Sequence, residues 1–98
     1  MNLEKLNKAF ENRIRLGIMS VLLVNDSVDF SFMKEKLKVT DGNLASHVSA
    51  LEKLGYLAVI KQFIGKKPNT SYSVTKLGEK AFKDHLNALE EFLRNTNE

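Results

Sequence analysis

The chain has 98 residues, of which 43% are hydrophobic, and a formal net charge of +3. This size predicts a single domain over residues 1–98, and the mildly basic balance permits nucleic-acid binding without establishing it. The absence of cysteine excludes disulfides and thiolate metal sites. Because no apolar run is long enough to span a bilayer and no signal peptide is evident, we expect a soluble, cytoplasmic protein.

The first quarter of the chain is predicted to be helical. Three apolar residues recur at helical spacing among the first ten and predict a short amphipathic helix: Leu3, Leu6 and Phe10. A second helix is predicted from Arg13 to Val24 after the capping residue Asn12. Its side chains are apolar on nearly every side, which is typical of a central helix.

A helix, a tight turn and a second helix are predicted next. A brief extended segment, Val28–Phe30, precedes Ser31, which is expected to cap a short helix over Phe32–Leu37. Only a turn fits before the stretch Thr40–Gly55, for which Thr40 is the predicted cap.

The Thr40–Gly55 stretch has two contrasting faces. Leu44, Val48 and Leu51 share a narrow apolar face, while the opposite face is small and polar. A helix that lies deep in a groove must be cleared of bulky side chains, so we interpret this stretch as a DNA-recognition helix. The candidate DNA-binding residues here are Thr40, Asn43, Ser46, His47, Ser49 and Lys53. Lys34 is also expected to meet phosphate. The alternative is a solvated helix that happens to lack long side chains.

A β-hairpin with a basic tip follows. Tyr56–Ile64 is rich in β-forming residues, Gly65–Thr70 is predicted to be a loop, and Ser71–Val74 is the expected partner strand. The candidate DNA-binding residues of the tip are Lys66, Lys67, Asn69 and Thr70. The alternative is an ordinary solvated loop.

The last predicted helix runs from Lys76 to about Leu93 after the capping residue Thr75. Both ends of the chain offer apolar stripes, so residues 1–11 and 76–98 are predicted to be dimerisation helices. The candidate dimerisation residues are Leu3, Leu6, Phe10, Phe82, Leu86, Leu89 and Leu93. The alternative is that these stripes close the domain's own core.

This order of elements is mostly α with a small β-hairpin wing, as in a winged helix-turn-helix. The run Asp-Gly-Asn-Leu-x-x-His-x-x-x-Leu-Glu-x-x-Gly-Tyr at Asp41–Tyr56, with Thr-x-x-Gly at Thr75–Gly78, resembles compact transcriptional regulators related to the MarR and ArsR groups. The resemblance implies a homodimer that binds double-stranded DNA by helix and wing. It implies no particular operator or effector.

The hypothesis is therefore a sequence-specific, homodimeric DNA-binding transcriptional regulator. The alternative is a winged helix that serves as a protein–protein interaction module without specific DNA binding. No phosphate-binding loop or nucleophile–base set is recognisable, so we expect neither an enzyme nor a cofactor. His47 and His85 lie in different predicted elements, so we expect no metal site, and a satisfied or surface role is the commoner one for each.

Overall fold

The computed structural model describes residues 2–95 of the chain. Four helices and three strands follow two short 3-10 turns. They are α1 (Arg13–Leu23), β1 (Val28–Asp29), α2 (Phe30–Leu37), α3 (Asp41–Lys53), β2 (Leu57–Ile64), β3 (Lys67–Val74) and α4 (Lys76–Asn95). The strands form an antiparallel sheet in the order β1-β3-β2. The winged helix-turn-helix fold predicted from the sequence is confirmed.

The core lies where α1, α2 and α3 meet the base of the sheet. As predicted for a central helix, α1 buries Ile18, Met19 and Leu22 completely, and α3 meets them with Leu44 and Leu51. Burying a side chain of this size stabilises the fold by about 1.5–3 kcal/mol. The apolar face of α3 is thus held inward by the core, which fixes its polar face outward.

The prediction of an N-terminal helix is wrong. In its place are two 3-10 turns, Leu3–Lys5 and Lys8–Phe10, while Met1 lies outside the described residues. The side chains of Asn2 and Asn7 accept hydrogen bonds from the backbone N–H groups of Glu4 and Ala9. These local bonds compete with a continuous helical ladder.

Three helix boundaries differ from the predicted ones, and β1 ends at Asp29 rather than at Phe30. Helix α1 ends at Leu23, one residue before the predicted end, and α2 begins at Phe30 because the carboxylate of Asp29, rather than Ser31, accepts the capping bond from the Phe32 N–H at 2.7 Å. The last helix extends to Asn95, and the remaining residues, 96–98, lie outside the described part of the chain.

The ends of α3 and α4 are fastened together. Gly55 has a φ of +80°, so it ends α3 in the left-handed conformation predicted for it. The hydroxyl of Thr75 accepts from the Gly78 N–H at 2.9 Å, as predicted for a cap, and donates to the Gly55 carbonyl at 2.6 Å. A Cβ at position 78 would lie 1.9 Å from the Tyr56 carbonyl oxygen, so only glycine permits this close approach.

The wing is longer and its turn is tighter than the sequence predicted. Ile64 pairs with Lys67, which leaves only Gly65 and Lys66 in the turn, and Gly65 has a φ of +66°. A positive φ at the first turn residue alone is the pattern of a type II′ turn, which suits the twist of a hairpin. Residues 67–70, predicted as loop, are therefore the first half of β3.

Candidate nucleic-acid interface

The outward face of α3 carries small polar side chains. Asn43 and Ser46 are exposed, as are the neighbouring Gly42 and Ala45, whereas Ser49 is half-buried. The cap residue Thr40 is also exposed, although its hydroxyl accepts the Asn43 N–H at 3.2 Å. The face is therefore accessible, and none of these side chains is long.

His47 is less available than the sequence suggested. It is half-buried, and its Nδ1 accepts a hydrogen bond from the Nε of Arg15 at 3.0 Å. Only Nε2 is left to meet a ligand, and this contact ties the beginning of α1 to the middle of α3. His47 thus helps to fix the guanidinium of Arg15 beside the helix.

Sequence reasoning missed three basic residues beside the first half of α3. Arg13 and Lys38 line a groove together with Thr40 and Asn43, and Arg15 lies close by through its bond to His47. One signal was available in the sequence. Two arginines in the first turn of α1 oppose the helix dipole, which favours acidic residues there, so their presence calls for another explanation.

Lys38 also has an unusual backbone. Its φ of 55° places it in the left-handed region at the end of α2, where its N–H donates to the Lys34 carbonyl. Glycine is the usual residue in such a position, since a side chain there costs about 1–2 kcal/mol.

The two lysines expected to meet phosphate near α3 differ in their surroundings. Lys34 forms an ion pair with Asp41 at 2.8 Å, linking α2 to α3, so its ammonium group is already engaged. Lys53, at the end of α3, is exposed, and no ion pair engages it among residues 2–95. The phosphate contact expected of each lysine stays a prediction.

On the wing, the candidate residues lie on different faces. Lys66 is in the turn itself, and Lys67 follows directly after it; both are exposed. Asn69 and Thr70 are half-buried, and because side chains alternate along a strand they point to opposite faces of the hairpin. The two lysines are thus at the tip, with the neutral donors two and three residues after Lys67.

Two of the predicted dimerisation residues are part of the chain's own core, which corrects that prediction. Phe10 is 1% exposed and Phe82 is 2% exposed, and their rings pack edge to face at 5.2 Å. The chain reaches this arrangement because its N-terminal turns fold back onto α4. Leu6 is half-buried, whereas four other candidates are exposed: Leu3, Leu86, Leu89 and Leu93.

His85 holds the N-terminal segment against α4. Its Nδ1 accepts the Asn7 backbone N–H at 3.0 Å, and the Asn7 side chain donates to the Tyr56 hydroxyl at 3.0 Å. Burial lowers the pKa of His85, and the nearby carboxylate of Glu11 only partly opposes this. The neutral imidazole is the form that accepts this bond, so His85 has a structural role.

Within residues 2–95, no helix is both long and apolar enough to cross a membrane. The same residues contain no group of three or more His, Asp or Glu side chains that could hold a metal ion.

An exposed helix, reached through a tight turn and followed directly by a hairpin, defines a winged helix-turn-helix protein. Residues 14–93 match the family of winged helix DNA-binding domains, so the chain belongs to that family. The transcriptional regulator resemblance noted in the sequence is confirmed at this level.

Individual proteins show the same likeness. The chain is 34% identical over 79 residues to the uncharacterized protein MJ0432 of Methanocaldococcus jannaschii, covering 81% of this chain and 86% of that one. It is 31% identical to a transcriptional regulator homologue from Pyrococcus horikoshii, with a TM-score of 0.79 and coverage of 98% and 100%. YusO from Bacillus subtilis has a TM-score of 0.82 at 18% identity, covers 96% of this chain and 66% of its own, and shares the fold.

Proposed function

We propose that the protein is a sequence-specific transcriptional regulator that binds double-stranded DNA as a homodimer. In this proposal α3 lies in the major groove, and the wing contacts the flanking backbone or minor groove. The observation that carries it is the outward face of α3, which has no Lys, Arg, Asp or Glu side chain from Gly42 to Ala50 and has basic residues near both of its ends.

The two ends of that face supply different positive charges. Arg13 and Lys38 lie near the beginning of α3 and Arg15 lies beside its middle, while Lys53 is its last residue and the wing lysines come after it. Phosphate contacts position a protein on the duplex, and contacts to base edges specify the sequence. We therefore assign the arginines and lysines to phosphate, and the side chains of Asn43, Ser46 and Ser49 to the groove.

The proposed dimer uses the outer part of α4. Leu86 is 41% exposed and Leu89 is 40% exposed on the same side of the helix, and Leu3 lies exposed in the N-terminal segment that packs on it. A symmetric pair would cover these side chains and would present two copies of α3 to half-sites about one helical turn apart.

The experiment that tests DNA binding is a titration of duplex DNA over a range of salt concentrations. We expect the Lys66→Ala, Lys67→Ala double variant to flatten the log–log dependence of affinity on salt by about 1–2 units, since each lost phosphate contact removes about 0.9. Sequence preference should change little.

A matched control removes the same charge elsewhere. Lys80 and Lys83 are exposed on α4 and pair with Asp84 and Glu79 of the same helix. The Lys80→Ala, Lys83→Ala variant should keep the wild-type salt dependence. Equal slopes for all three proteins would mean that the wing lysines do not contact phosphate. Absence of duplex binding by the wild type would refute the proposed function.

A further inference from the structure

The outer half of the wing carries exposed apolar side chains. Phe63 is 73% exposed and Ile64 is 63% exposed, whereas Leu57 at the base of the same strand is buried. Single exposed apolar residues are common on protein surfaces. Two large ones at the tip of a projecting hairpin form an apolar patch whose exposure to water is unfavourable.

The strand register places an apolar pair on one face of the tip. Phe63 is directly opposite Pro68, and the next pair, Ile64 and Lys67, points to the other face. Proline has no N–H group to donate to a neighbouring strand. Because β1 pairs with β3 only at Ser71 and Tyr72, no strand pairs with this side of β3 at position 68, and a proline is tolerated there. The stiff ring of Pro68 therefore lies beside Phe63.

The charges around this pair have one sign. No acidic residue occurs between Lys53 and Gly78, while Lys61, Lys66 and Lys67 lie along the outer wing. An apolar tip surrounded by lysines complements a surface with anionic edges and a less polar floor. The minor groove of DNA has this form, with a phosphate backbone on each edge.

The wing is long enough to reach that groove. From Leu57 to Ile64 the strand rises about 23 Å at roughly 3.3 Å per residue. Half a turn of B-DNA separates adjacent grooves by about 17 Å. A hairpin whose base is beside a helix in the major groove is therefore long enough for its tip to reach the neighbouring minor groove.

We propose that Phe63, supported by Pro68, is a wedge that enters the minor groove, partly unstacks a base step and bends the duplex. This inference rests on the proposed function and adds to it a binding residue and a deformation of the DNA. Pyrimidine–purine steps unstack most readily, so a TA or CA step at the wing position should strengthen binding without any hydrogen bond to its bases.

The test uses a duplex of about 30 base pairs, selected by the wild-type protein from a random pool and labelled at its two ends for energy transfer. We expect Phe63→Ala to weaken binding about ten-fold and to reduce the bend, because an aromatic contact to a base is lost. The salt dependence should be unchanged, since no charge is removed. Phe63→Leu should keep most of the bend.

Two further variants separate this inference from other roles of Phe63. Val24→Ala truncates another exposed apolar side chain, at the end of α1 away from Arg13, and should bind and bend like the wild type. The chain has no tryptophan, so Phe63→Trp supplies a single tryptophan whose emission should be quenched on the duplex.

The outcomes are distinguishable. If the wild type binds duplex DNA and Phe63→Ala binds and bends it equally, the wedge is refuted and the proposed function stands. A change in the mass of the free protein in Phe63→Ala, with no change in bending, would assign Phe63 to a protein contact and also overturn the wedge. If the wild type selects no duplex, the proposed function itself fails.

Discussion

Helices α3 and α4 are both amphipathic, but their outward faces are built differently. Helix α4 carries three ion pairs between its own residues: Lys80–Asp84, Lys83–Glu79 and Arg94–Glu90. Among the described residues α3 has no such internal pair. Its exposed positions from Gly42 to Ser46 hold glycine, asparagine, alanine and serine, and its exposed charged residues, Asp41, Glu52 and Lys53, lie at its two ends. Because each exposed pair stabilises a helix by only about 0.3–0.5 kcal/mol, α3 forgoes little stability by leaving its surface open to close approach.

The largest expected effect comes from placing a long acidic side chain on α3. Ser46→Glu should weaken duplex binding by about a hundred-fold or more, because the carboxylate clashes with the groove and repels phosphate. Stability should change little, as Ser46 is exposed. The measurement is affinity for one duplex at fixed salt.

The matched change on α4 is Asn87→Glu, at an exposed position on its outward side. This variant has the same added charge and should bind nearly as well as the wild type. Equal losses in the two variants would mean that overall charge, rather than the face of α3, governs binding.

An intermediate effect is expected at the apolar edge of α4. Leu89→Glu should shift the protein from dimer to monomer at micromolar concentration, because two carboxylates would be buried against each other. The mass in solution, measured by sedimentation, checks this. Leu77→Glu alters another exposed leucine, which lies on a different side of α4 from Leu86 and Leu89, and should leave the mass unchanged. A monomeric wild type would contradict the dimer.

The smallest effect concerns pH and the inward side of α4. Burial lowers the pKa of His85, so the unfolded chain binds a proton that the folded chain resists. The contribution of the neutral His85 to the free energy of unfolding should therefore be fully present above about pH 6.5, the ordinary pKa of histidine. It should be lost progressively as the pH falls below that value. Thermal unfolding between pH 7.5 and 5.5 measures this.

His85→Gln keeps an acceptor for the Asn7 N–H but has no titrating group. This variant should lose much of the pH dependence in that window. If it unfolds with the wild-type pH dependence, another group is responsible for the acid sensitivity.

Local sequence patterns were sufficient for most of the fold. Thr40, Thr75 and Asn12 cap the helices predicted for them, and Gly55 ends α3, because each acts through bonds to its immediate neighbours. The apolar spacing of α3 also placed its core face correctly, which in turn oriented the polar face.

The larger errors arose where distant residues contribute. The N-terminal segment has 3-10 turns instead of its predicted helix because the Asn2 and Asn7 side chains cap local turns and because the Asn7 N–H donates to His85 on the last helix. Phe10 and Phe82 had helical spacing, but spacing alone does not show whether a stripe faces the core or another chain. The contact between Arg15 and His47 likewise joins two helices, so no local pattern could reveal it.

The most direct test of the central claim, that the outward face of α3 binds DNA, is the change in backbone amide chemical shifts of the labelled protein as duplex is added. We predict that the amide chemical shifts of residues 41–53 and of the wing residues 61–70 change together. The chemical shifts of the outward residues of α4, between 79 and 94, should remain unchanged. Shifts confined to α4, with α3 and the wing unaffected, would contradict the account.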